Sequence, residues 1–129
     1  MQGGEYMLFH KILSFSEIKK EPFIIENIRW DLEPKDLMEP RCIITEEGLK
    51  KREPIKGYVF YIDAMEDSPK LFLMRHTAAD YAETLAEVED IPGELLREAI
   101  EENKDKVYFK MYPINEKIKD WLKKELGIK

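Results

Sequence analysis

The apolar positions of this chain change period along its length. IKGYVFYID (55–63) and KLFLMRH (70–76) are nearly unbroken apolar runs rich in aromatic and branched residues, and AMEDSP between them has hairpin-loop composition. Tyr58, Phe60 and Ile62 point one way and Val59 and Tyr61 the other, while Leu71 and Leu73 oppose Phe72 and Met74. Strands apolar on both sides are covered on both sides, so this pair is expected at the centre of its sheet.

Other elements follow from weaker periodicities. PFIIENIRWDL (22–32) opens on Pro22, places Ile24, Ile28 and Trp30 on one face, and is predicted as a strand. MLFHKILSF (7–15) fits a strand by the alternation of Met7, Phe9, Leu13 and Phe15, and a helix by Leu8, Ile12 and Phe15; the strand is preferred. CIIT (42–45) predicts a short strand. Pro34 and Pro40 limit the segment before it to one helical turn over Lys35–Met38. EEGLKKREP (46–54) reads as a polar loop with Gly48 at positive φ.

The second half reads mostly as helix. Thr77 is placed to cap AADYAETLAEVE, whose Ala78, Tyr81, Ala82, Leu85 and Val88 form an apolar stripe. Asp90 is placed to cap a second helix with Pro92 and Glu94 early in it and Leu95, Leu96, Ala99 and Ile100 buried. VYFKMY (107–112) is predicted as a strand. Asn115 then caps a last helix that buries Ile118, Trp121, Leu122 and Leu126 and stops at Gly127. The expected fold is a single α+β domain over 1–129, with residues 1–6 a loose terminus. It holds a mainly antiparallel sheet of five or six strands and about three helices, mostly in the C-terminal half.

Composition narrows the setting. A chain of 129 residues can bury roughly two-thirds of its unfolded surface, enough for a core without staples. Cys42 is the sole cysteine, so no internal disulfide forms, and neither a secretory signal nor a membrane-length apolar run is present. The expected location is the cytoplasm. Glu and Lys number 19 and 16 against four Asn plus Gln, the balance typical of heat-adapted organisms. The net charge of −6 argues against nucleic acid as a partner. Ten acids stand against Arg97 and Lys104 in 77–105, and seven lysines against three acids in 106–129. Solvated helix faces of opposite sign are the preferred reading of this map, with an acidic surface for a basic partner as the alternative.

Candidate chemistry is sparse. LFLMRHTAAD (71–80) ends an apolar run in Arg75-His76. Over about ten residues it resembles the histidine phosphatases around their phosphate-accepting histidine. That resemblance implies His76 as nucleophile and Arg75 as phosphate ligand, and needs a second histidine and arginine, for which the chain offers His10 and Arg97. A plainer reading has Arg75 and His76 closing a strand beside acidic helices. If the helix after Thr77 extended back to His76, then His76, Asp80, Glu83 and Glu87 would share a stripe, a candidate metal set led by His76, Asp80 and Glu83. Asp63, Glu66 and Asp67 lack the spacing of a calcium loop, and Cys42 reads as a packed thiol. Tyr108, Lys110 and Tyr112 would line one strand and offer a binding surface if left uncovered. No cofactor motif is present. The preferred reading is a non-catalytic module that binds a protein or small ligand, or self-associates as a homodimer through its sheet; the alternative is a small hydrolase or phosphatase-like enzyme using Arg75 and His76.

Overall fold

A computed structural model of the chain describes residues 12–33, 42–51, 54–78, 81–106 and 110–128. At its centre the two apolar runs pair as expected: β3 (Tyr58–Asp63) lies antiparallel to β4 (Lys70–Ala78), with Phe60 opposite Leu73 and Ile62 opposite Leu71. β5 (Tyr81–Val88) flanks β4 and β6 (Met111–Pro113) flanks β3, both antiparallel, giving the order β5-β4-β3-β6. Earlier in the chain, β1 (Cys42–Thr45) and β2 (Gly48–Lys51) form a separate two-stranded sheet. The helices among the described residues are α1 (Phe15–Ile18), α2 (Pro22–Glu26), α3 (Gly93–Glu102) and α4 (Glu116–Leu126). The α+β class and the antiparallel pairing therefore stand. Among the described residues the main sheet has four strands rather than five or six, and two of the four helices lie in the N-terminal part of the chain.

The misplaced elements have physical causes. The helix expected after Thr77 is instead the end of β4 followed by β5. Ala82 and Thr84 face one way, and after a bulge Ala86 and Val88 face the helices. Pairing with nine-residue β4 overrides the helical preference of Ala, Leu and Glu. The bulge falls at Leu85, because Leu73 pairs with Ala86 while Met74 pairs with Thr84. The strand expected over 22–32 begins as α2: Pro22 suits a first helical turn, and Ile24 and Ile28, four apart, both turn inward. Asp90 caps nothing; α3 starts after Pro92, which supplies no side-chain cap. The polar loop 46–54 contains β2, although Gly48 does take φ +117°.

Of 7–15, residues 7–11 lie outside the described residues, as do 1–6, Lys35–Met38 and 107–109. Phe15 opens a helix held by a capping box: the Glu17 N–H donates to the Ser14 hydroxyl, and the Ser14 N–H donates to the Glu17 carboxylate. Leu13 stays extended against β5, donating to the Leu85 carbonyl at 3.0 Å and accepting from the Glu87 N–H at 2.9 Å. α4 matches its expectation. Asn115 accepts from the Ile118 N–H at 3.0 Å, and Gly127 ends the helix at φ +73°.

All four helices contribute to one face of the sheet. Phe60, Ile62, Leu71, Leu73, Ala86 and Val88 form a core there with Phe15, Ile18, Ile24, Leu96, Ala99, Ile118 and Leu122. Each fully buried aliphatic side chain contributes about 2 kcal/mol. On the other face Val59, Tyr61 and Met74 are buried, with Leu32, Ile55, Phe72, Ala82 and Met111 packed against them. Both sides of β3 thus carry buried apolar side chains within one chain. No helix among the described residues is long and apolar enough to cross a membrane.

Candidate functional site

Arg75 and His76 are neighbours in sequence on a pleated strand, so their side chains leave opposite faces. Arg75 lies between Tyr58 and Glu83 and forms an ion pair with Glu83. His76 lies beside Ala82 on the other face, where its Nε2 is 3.0 Å from the Tyr61 hydroxyl. Arg97 belongs to α3, on the helix-covered side, with its guanidinium folded back toward Gly93; His10 lies outside the described residues. The phosphatase arrangement is therefore not assembled among the described residues: the anion-binding arginine and the imidazole are separated by the sheet itself.

The pleat also breaks up the metal set. Glu83 is engaged by Arg75 on the face opposite His76, Glu87 stands beside Phe72 several residues along, and Asp80 lies outside the described residues. Among the described residues no three His, Cys, Asp or Glu side chains are grouped to hold a metal ion. The expected tyrosine surface is not formed as read. Tyr108 lies outside the described residues and Lys110 is exposed. Tyr112, paired with Ile62, is only 7% exposed and belongs to the core beneath the helices. Asp63 accepts the Met65 N–H at 2.9 Å, a local turn bond in a solvated loop.

A concave site exists elsewhere. A cleft of about 390 Å³ opens at the β6-side edge of β3. Its floor is Val59 and Phe60. One wall is the chain after α2, from Arg29 to Glu33. The opposite rim is the C-terminal end of α3 and the N-terminal end of α4. The first wall sits close because Tyr58 pairs in parallel with Ile28, donating to the Asn27 carbonyl and accepting from the Arg29 N–H, each at 2.9 Å. Gly57 permits this approach. It takes φ +85°, and a Cβ there would stand 2.6 Å from the Asn27 carbonyl oxygen.

The wall is rigid and its charges are paired. Trp30 packs on Phe60 with ring centroids 5.8 Å apart, and the Lys123 ammonium covers it at 5.5 Å. Arg29 forks onto both Asp31 oxygens at 2.9 Å and donates to the Lys56 carbonyl at 3.0 Å. Those bonds hold the Asp31 carboxyl down to about 2, with a smaller push from the charges of Arg29 and Lys119, and they raise Arg29 further.

On the opposite rim Asn115 has two tasks. Its carbonyl caps α4 and its amide donates to Glu102 at 2.7 Å, tying the end of α3 to the start of α4. Lys119 is bound to Glu116 at 3.1 Å. Lys106 forms no ion pair with a described residue. Between these groups lies Asn103, the buried polar residue of the described chain at 7% exposure, and its amide makes no hydrogen bond to a described residue. Its side chain lines the cleft.

Sequence reasoning found Asn115 as a cap and missed its link to Glu102. It placed Trp30 on a strand and passed over Asn103, which stands among Glu101, Glu102, Lys104 and Asp105 and carries no mark of burial. No protein-family model, no curated protein and no solved structure matches the chain.

Proposed function

We propose that this chain is a non-catalytic ligand-binding module whose site is the cleft between the Arg29–Glu33 wall and the facing ends of α3 and α4. One observation carries the reading: Asn103, a residue only 7% exposed, lines the cleft, and its amide makes no hydrogen bond to a described residue. A primary amide both donates and accepts, so it can pair with a molecule that enters the cleft. The setting agrees. The volume of about 390 Å³ suits a small molecule, and Trp30, Leu32, Phe60 and Ile114 supply apolar contact beside the charged and amide groups of the lining. The first wall is pinned by main-chain bonds to β3, so the site is preformed and little ordering is needed on binding.

The test is a metabolite and fragment screen on ¹⁵N-labelled protein read by amide NMR. Binders are expected to move the Asn103 side-chain amide, the Phe60 N–H and the Trp30 indole together. A screen with no binder, or with shifts confined to other surfaces, rejects the cleft as the site.

A further inference from the structure

Resting on that reading, we infer that the ligand is a small zwitterion: an ammonium and a carboxylate close together on an apolar body, as in a free apolar amino acid. The cleft is lined by both signs of charge, with Arg29, Lys106 and Lys119 against Asp31, Glu33, Glu102 and Glu116. Four carboxylates oppose a simple anion, and a phosphate most of all. Three cations oppose a simple amine. A neutral molecule with a large dipole avoids both penalties.

The polarity of the site is ordered. The ten-residue α3 ends at the cleft, bringing the negative end of its dipole, and the eleven-residue α4 starts there, bringing the positive end. Glu102 sits at the α3 end and is held by the neutral Asn115 amide, so its charge remains available to an ammonium. Lys106 has no ion pair with a described residue and is available to a carboxylate. Asn103 lies between them, and a primary amide both donates and accepts: its carbonyl suits the ammonium and its NH₂ suits the carboxylate. Trp30, Leu32, Phe60 and Ile114 leave an apolar space for the body.

The experiment is calorimetric titration of the intact chain with L-leucine and L-phenylalanine, each beside its two truncations. These are 4-methylpentanoate and 3-methylbutylamine for leucine, and 3-phenylpropanoate and 2-phenylethylamine for phenylalanine. At least one amino acid is expected to bind, with either truncation weakened tenfold or more, as for loss of one charged hydrogen bond. Asn103→Ala is expected to weaken the amino acid about tenfold while the melting temperature of the free protein changes little, because the amide makes no hydrogen bond to a described residue. Lys106→Gln, on the exposed rim, is expected to weaken it several-fold without disturbing the fold. Equal binding of a truncated acid or amine overturns the zwitterion and leaves the cleft reading intact. So does a screen whose cleft binders are all of another class. Amino-acid binding untouched by both variants overturns the placement, and an empty NMR screen overturns the cleft reading itself.

Discussion

Two regions of this protein present polar side chains near one another, and they differ in what brings them there. At the end of β4, Arg75 and His76 are adjacent in the chain and back to back across the sheet. Around the cleft, Trp30, Phe60, Asn103 and Lys119 are far apart in the chain and line one concavity. The first is adjacency without convergence, the second convergence without adjacency. Binding and catalysis need convergence, since a lone polar group lacks the partners that orient it and offset its charge.

The comparison can be broken most forcefully at Gly57. Gly57→Ala forces an L side chain to φ +85° and drives its Cβ against the Asn27 carbonyl, costing about 2 kcal/mol in urea unfolding. It should detach the Arg29–Glu33 wall and abolish ligand-induced shifts, while His76 keeps its Tyr61 partner. The next probe is at the other region. Tyr61→Phe removes a hydrogen bond to a part-buried imidazole and costs about 1 kcal/mol. It should move the His76 ring resonances, whereas Arg75→Ala should leave them in place; a common response to both would mean the two side chains share a face after all. The smallest effect is at Asp31. Its carboxyl is held at about 2 against an ordinary 3.8, so the Arg29 fork stabilises the fold fully above about pH 4 and the contribution fades as pH falls toward 2. The pair is exposed, so the loss is below about 1 kcal/mol, and Asp31→Asn should flatten that part of the stability profile.

What could be read from the chain follows the same division. The β3–β4 hairpin was legible because its apolar runs leave no alternative to a central strand pair. α4 was legible because Asn115 and Gly127 mark its ends by local chemistry. β5 was not: Ala82, Leu85 and Val88 fit the helical period, and only the presence of β4 alongside decides for a strand. The capping box at Ser14–Glu17 was written in the sequence and overlooked. The cleft was illegible for a deeper reason. Burial of Asn103 depends on α3 ending where α4 begins, and on Gly57 letting the wall close in, none of which has a local signature.

Leu13 has a consequence for how this protein coexists with copies of itself. By bonding to Leu85 and Glu87 it occupies part of the outer rim of β5, where a strand from another molecule would otherwise find open donors and acceptors. A rim covered in this way leaves fewer open groups for another molecule to pair with. Cutting the chain after Ser14 should favour fibrillar assembly, because that cover is then no longer tethered to the sheet.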